Sequence, residues 1–399
     1  MSFNPAKAIE SIHTFGPNNE VNPPISDTST YAFKKAKDMY DTFEGETEGM
    51  YLYSRHTAPS TAYLSEALAA MENMESANVT ASGMGAIVPA ILQICESGSH
   101  IVASRTIYGG TYAFLKNFAP KLGIETTFVD ITDLDRIENS IKGNTKLIYC
   151  ETVSNPLLEI ANLPAISEIA KAKGLKLYVD NTFSPLSITP QQHGADVVLH
   201  SLTKYINGSS DAMGGVLCSD TDFINSTKDV NTGASMLIGA SMDSFRAASI
   251  LKNLRTLPIR IQQHSKNALY LAKKFEDAGI RTLYPGLESH PGHKVYSNIM
   301  NKEFGYGGML TIDAQTQEKA DALMEKMQDE KLGYLAVSLG FYKTLFSAPG
   351  ASTSSEIPAD EQKTMGLNNS LVRISIGLDH DIEDTFKKMI TCIKEVGII

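Results

Sequence analysis

The chain has 399 residues, 42% of them hydrophobic, enough to bury a substantial core and, at roughly 100–200 residues per domain, to form two or three domains. Thirty-five basic against forty-five acidic residues leave a formal charge of −10 spread along the chain, which argues against nucleic acid as a partner. No run approaches the ~18 uninterrupted apolar residues of a membrane span, the start lacks a leader-like apolar core, and the four cysteines lie far apart, so a cytoplasmic protein without a metal centre or a disulfide framework is expected.

Residues 1–60 lack sustained periodicity and are rich in Pro, Asn, Thr and Tyr, the pattern of an extended arm that contacts a neighbouring subunit. Leu64, Ala67, Leu68 and Met71 fall on one helical face over 64–74, and 86–94 reads as a second helix. Short apolar runs then alternate with helical stretches such as 160–173. The runs are Ile101-Val102-Ala103, Thr126-Thr127-Phe128-Val129, Leu147-Ile148-Tyr149, Leu177-Tyr178-Val179 and Val197-Val198-Leu199. Near-continuous apolar strands separated by helices imply an α/β domain, over residues 61–250, with a mainly parallel sheet covered on both faces. A long helix over 259–278, a strand over 308–312, a helix near 318–327 and a strand over 371–376 suggest a smaller α+β domain over 251–399.

In such a sheet, ligands sit outside the carboxyl ends of the strands, so residues that follow apolar runs come first. Asp180 follows Leu177-Tyr178-Val179, and Lys204 lies just beyond Val197-Val198-Leu199-His200. Pyridoxal phosphate needs both types: an amine to hold its aldehyde as a Schiff base, and a carboxylate to keep its ring nitrogen protonated. Ala81-Ser82-Gly83-Met84-Gly85-Ala86 enters a helix whose free N–H groups and dipole suit a phosphate, and Ser201 and Thr203 could add hydroxyl donors. No third glycine completes a dinucleotide fingerprint, and no G-x-x-x-x-G-K-[ST] occurs. Arg373, inside the apolar run Leu371-Val372-Arg373-Ile374, would be costly unpaired, and a substrate carboxylate would satisfy it bidentately. Taken singly, Lys204 reads more readily as a solvated loop lysine, Asp180 as a helix cap, 82–85 as a tight turn and Arg373 as half of a structural ion pair; their joint occurrence reverses that preference in favour of the cofactor.

These motifs resemble the cystathionine/methionine-metabolism family of pyridoxal-phosphate enzymes. Ser201-Leu202-Thr203-Lys204-Tyr205 followed by Gly208-Ser209-Ser210-Asp211 resembles the family's lysine signature, and Tyr53-Ser54-Arg55 its arm motif. Tyr108-Gly109-Gly110-Thr111, Glu151-Thr152-Val153-Ser154-Asn155-Pro156 and Val179-Asp180-Asn181-Thr182-Phe183 also match, over about residues 51–377. The resemblance implies the aspartate-aminotransferase-like fold, type I. It implies that Gly83 and Met84 offer amides, and Ser201 and Thr203 hydroxyls, to the phosphate, while Tyr53 and Arg55 reach the phosphate of a neighbouring subunit in a dimer of dimers. It further implies that Tyr108 stacks on the ring and acts as an acid or base, that Asp180 pairs with the ring nitrogen, that Asn155 meets the ring hydroxyl, and that Arg373 with Ser338 holds the carboxylate of a sulfur amino acid.

Within the family, Phe128-Val129-Asp130-Ile131-Thr132-Asp133, Tyr284-Pro285-Gly286-Leu287-Glu288 and the stretch from Ala336-Val337-Ser338 through Ser352-Thr353-Ser354-Ser355-Glu356 resemble the plant-like branch of methionine γ-lyases. That implies γ-elimination as the expected activity, with γ-replacement or cystathionine cleavage as alternatives on the same machinery. Gly110 stands where many bacterial methionine γ-lyases carry cysteine, Ser209 where many family members carry histidine, and Ala58-Pro59 where Asn-Pro is usual.

Overall fold

The computed structural model describes residues 3–12, 16, 18–45, 47, 49–350 and 358–399. The segment Ser352 to Glu356, part of the branch resemblance, lies outside them. The larger sheet comprises β1 (Ser76–Thr80), β2 (His100–Ser104), β3 (Glu125–Val129), β4 (Thr145–Glu151), β5 (Lys176–Asp180), β6 (Val197–Ser201) and β7 (Gly215–Ser219). Its order is β1-β7-β6-β5-β4-β2-β3; β7 is antiparallel to both neighbours, and the other pairs are parallel.

The alternation of side chains along each strand sorts this sheet into two apolar faces. Ile101, Leu147, Tyr149, Tyr178 and Leu199 pack against Ala86, Ile87, Ala90 and Ile91 of the helix Gly83–Ile94. Val102, Ile148, Val179 and Val198 pack on the opposite face against Leu64, Leu68 and Met71 of the helix Pro59–Met71 and against Ile166 of the helix Leu163–Ala172. The latter helix begins at Leu163 rather than at 160, because Ile160 is engaged in an isolated bridge to Val153 and Pro164 suits only a first helical turn.

A second sheet has β8 (Thr282–Leu283), β9 (Met309–Asp313), β10 (Tyr334–Leu335), β11 (Leu345–Ser347) and β12 (Leu371–Ser375) in the order β10-β11-β12-β9-β8. Leu310, Ile312, Val372 and Ile374 form one buried face with residues of the helices Gln317–Asp329 and Ile382–Glu395. Thr311, Arg373 and Ser375 alternate with them and so point the other way. The helix Leu257–Asp277 joins the two cores: Leu257 and Ile261 belong to the first, Leu271 and Phe275 to the second.

The N-terminal 60 residues are not extended throughout. Asn4 accepts the N–H groups of Ala6 and Lys7 and caps the helix Pro5–Ser11, which buries Ala6 and Ile9 in the main core. Seven residues are too few for a clear helical period, so this packing leaves little trace in the sequence pattern. The helix Ala36–Phe43, by contrast, buries none of its residues.

Candidate active site

At the carboxyl ends of the parallel strands lies a cavity of about 530 Å³. Its floor is acidic. Register pairs Glu151 at the end of β4 with Asp180 at the end of β5, and Asp180 with Leu199 of β6. The odd–even alternation that buries Tyr149 and Tyr178 against the helix Gly83–Ile94 turns Glu151 and Asp180 to the same face. Asp180 Oδ1 accepts the Thr182 N–H at 2.9 Å. Burial raises the Asp180 pKa above the ordinary carboxylate value, against the opposing pull of the Thr182 hydrogen bonds and of His200. Glu151 is raised further, by burial first and then by the neighbouring Asp180.

The lysine wall comes from the turn after β6. Lys204 Nζ donates to Ser338 Oγ at 3.1 Å. Burial, followed by the like charge of Arg373, brings its amine down to about 8. Ser338 is placed by its own loop, in which Gly340 has φ +77° and its N–H donates to Ser375 Oγ at 2.9 Å. A Cβ at Gly340 would lie 2.5 Å from the Tyr205 backbone nitrogen, so the loop can rest on the lysine turn only with glycine there.

Arg373 of β12 lines the same cavity near the lysine, its Nη2 reaching the Ser338 carbonyl at 3.5 Å. It is 3% exposed, and burial lowers it to about 10. Its Nη1 donates to Asn155 Oδ1 at 2.8 Å and its Nη2 to Ser347 Oγ at 3.3 Å, with no carboxylate among these partners. Gly83 and Met84 line the cavity at the start of a twelve-residue helix, where first-turn N–H groups have no intrahelical acceptor; Ser82 Oγ caps Gly85 at 3.0 Å. A Cβ at Gly83 would come within 3.1 Å of the Ser201 Cβ. Tyr108, half exposed, stands at the rim, and its backbone N–H donates to Glu151 Oε1 at 2.7 Å. A side chain at Gly110 would meet the Tyr108 ring, its Cβ 2.6 Å from Cε1, so glycine there leaves that ring its place.

The geometry thus gathers Gly83, Met84, Tyr108, Asn155, Asp180, Ser201, Thr203, Lys204, Ser338 and Arg373 around one cavity. Tyr53 and Arg55 do not line it. The Arg55 guanidinium stacks over the Tyr53 ring at 5.7 Å, and its Nη1 donates to the Met236 carbonyl at 2.9 Å.

The model of the family described as "Cys/Met metabolism PLP-dependent enzyme" matches residues 7–391. The chain belongs to that family. It is 41% identical over 380 residues to a methionine gamma-lyase of Arabidopsis thaliana, covering 94% of this chain and 86% of that protein. It is 36% identical over 371 residues to an O-succinylhomoserine sulfhydrylase of Pseudomonas aeruginosa, covering 92% and 89%. A crystal structure of a putative O-acetylhomoserine (thiol)-lyase from Campylobacter jejuni, which contains an N'-pyridoxyl-lysine-5'-monophosphate, superimposes with a TM-score of 0.90 at 30% identity, over 98% of this chain and all of that one. The fold is type I of the pyridoxal-phosphate enzymes, with a second, smaller sheet domain.

The residues present suit the family's cofactor, pyridoxal 5'-phosphate. A lysine amine partly neutral near pH 8 can condense with an aldehyde, and two buried carboxyls whose acidity is depressed lack the cation that a protonated pyridine would supply. The small residues at the helix start leave room for a phosphate. Glu151 is the ionisable cavity residue that the sequence analysis quoted only within a matching segment and gave no role. It ends an apolar run just as Asp180 does, so the same rule about strand ends would have selected it.

Proposed function

We propose that this enzyme carries out γ-elimination on L-methionine, taking up one water and releasing methanethiol, 2-oxobutanoate and ammonia. The observation that carries the proposal is the placement of the Lys204 amine against Ser338, in one cavity with Asp180 and with Arg373, whose guanidinium is bonded to the neutral Asn155 and Ser347. The 41% identity to a methionine gamma-lyase supports this choice of substrate. When bound, pyridoxal phosphate supplies the electron sink for loss of the Cα and Cβ protons and of the γ-substituent. Arg373 offers a planar pair of donors to the amino-acid carboxylate, and Ser338 helps to orient it. Lys204, with its amine held near 8, can accept a proton at Cα and give it back close to neutral pH. The Tyr108 hydroxyl, at the rim, is suited to protonate the departing sulfur. Val153, Phe183, Val337 and Leu339 give the cavity an apolar lining that suits a thioether side chain.

The second reading is γ-replacement, favoured by the similarity to an O-succinylhomoserine sulfhydrylase; cystathionine cleavage would use the same groups. Cofactor-loaded protein given L-methionine and no added nucleophile should release 2-oxobutanoate and thiol in equal amounts, and Lys204→Ala should release neither. Silence of the wild type on methionine, with turnover of an O-acylhomoserine plus sulfide, would move the assignment to replacement.

We infer also a cytoplasmic homo-oligomer, a dimer of dimers, in which Tyr53 and Arg55 complete the phosphate site of a neighbouring copy. Their position outside their own cavity, with the Tyr53 ring half exposed, supports that arrangement.

A further inference from the structure

Two of the groups that the proposed function relies on, Tyr108 and Asn155, sit in loops rather than on strands, where backbone position is least constrained by a ladder. Both loops end on one side chain. Glu151 Oε1 accepts the Tyr108 N–H at 2.7 Å, and Glu151 Oε2 accepts the Asn155 N–H at 2.9 Å. From Asn155 the chain of contacts continues through Oδ1 to Arg373 Nη1 at 2.8 Å and, by the other side of the Arg373 fork, to Ser347. Glu151 itself is anchored in β4, in register with Asp180, and is 6% exposed.

We propose that Glu151 is a positioning residue of this active site: its two carboxyl oxygens hold Tyr108 and Asn155, and, once a protonated pyridine supplies the cation, its negative charge would reinforce that of Asp180. The inference rests on the cofactor assignment but not on the choice of methionine. A purely structural carboxyl could take donors for its two oxygens from anywhere in the core. This one spends both on the two loops that flank the site, and it does so beside a second buried carboxyl, an arrangement costly for stability unless a cation adjoins it. Glutamine cannot replace it: its amide nitrogen would confront one of the two N–H groups, donor against donor, and the charge would be lost.

The test compares Glu151→Gln and Glu151→Asp as cofactor-loaded proteins. The first readout, taken without substrate, is the pH midpoint of the visible absorbance band of the lysine-bound cofactor. Loss of a negative charge should lower that midpoint in E151Q by about 0.5 pH unit or more. The second is steady-state kinetics: kcat should fall by about tenfold or more with KM within about threefold, since alignment of the proton-handling groups is lost before carboxylate binding. E151D, which keeps the charge and both oxygens on a shorter stem, should fall between E151Q and the wild type in both readouts. If E151Q does not fold, E151D alone decides: an intermediate shift in midpoint and kcat supports the proposal. A variant that differs from the wild type only in melting temperature, or an E151D no better than E151Q, overturns it. Because the midpoint is read without substrate, it stands even if the enzyme proves to act on another sulfur amino acid.

Discussion

Lys204 sits where two effects on its amine add: burial disfavours the ammonium, and Arg373 repels it. Arg373 is in turn a buried cation whose present hydrogen-bond partners are neutral, so a substrate carboxylate would supply the charge that balances both. Replacing Arg373 with Ala should therefore have two consequences. The KM for the amino acid should rise by about two orders of magnitude, the scale of a buried charge pair that loses one member. The pH at which the apoprotein captures pyridoxal phosphate should also rise from about 8, because removing a like charge favours the ammonium. Arg373→Lys should recover little, since a single ammonium does not reproduce the fork that reaches Asn155 and Ser347. Steady-state kinetics and cofactor absorbance against pH check both; an unchanged KM in Arg373→Ala would remove Arg373 from substrate binding. At this scale the sequence was informative where chemistry and strand position coincide, as for Asp180 and Lys204. Glu151 also ends an apolar run, but its role depends on two backbone N–H groups that no residue pattern encodes.

At the scale of elements, the parallel strands β2, β4, β5 and β6 were legible because burial on both faces leaves near-continuous apolar runs, while the partly exposed edge strand β3 showed through its β-branched and aromatic residues. The edge strand β1 and its neighbour β7 were not legible. Ser76–Thr80 and Gly215–Ser219 are short and mix small or polar residues with apolar ones, and the reversed direction of β7 is set by its pairing with β6 and β1 rather than by composition. The helix Ile382–Glu395 carries buried Met389, Cys392 and Ile393 at helical spacing; its pattern was present in the sequence but was passed over. The arm is the element whose purpose is not served within one copy's cavity, since Tyr53 and Arg55 do not line it. If they serve a neighbour, heteromers of Arg55→Ala and Lys204→Ala chains, isolated on two affinity tags, should regain activity that neither homomer has. In such a heteromer the Arg55→Ala copy keeps its lysine and receives Arg55 from the other. Heteromers as inactive as their parents would place Arg55 in its own subunit's site, or in none.

For the whole molecule, the cavity is a product of two cores. The larger sheet supplies the carboxylate floor and the lysine turn, and the smaller one supplies Arg373 from the face opposite to its buried Val372 and Ile374. The helix Leu257–Asp277, buried at one end in the first core and at the other in the second, ties the two together. Sequence periodicity revealed the parallel strands, two strands of the smaller sheet and this helix, but not that β12 would share a cavity with the ends of β4 and β5, because contacts between distant segments have no local signature. The central claim is that this cleft holds pyridoxal phosphate on Lys204. The most direct measurement is reduction of the cofactor-loaded protein with borohydride, followed by peptide mass mapping. The account predicts a single pyridoxyl-phosphate adduct, on Lys204, with loss of the visible absorbance band. An adduct confined to any other lysine, or a reduced protein carrying none, would contradict it.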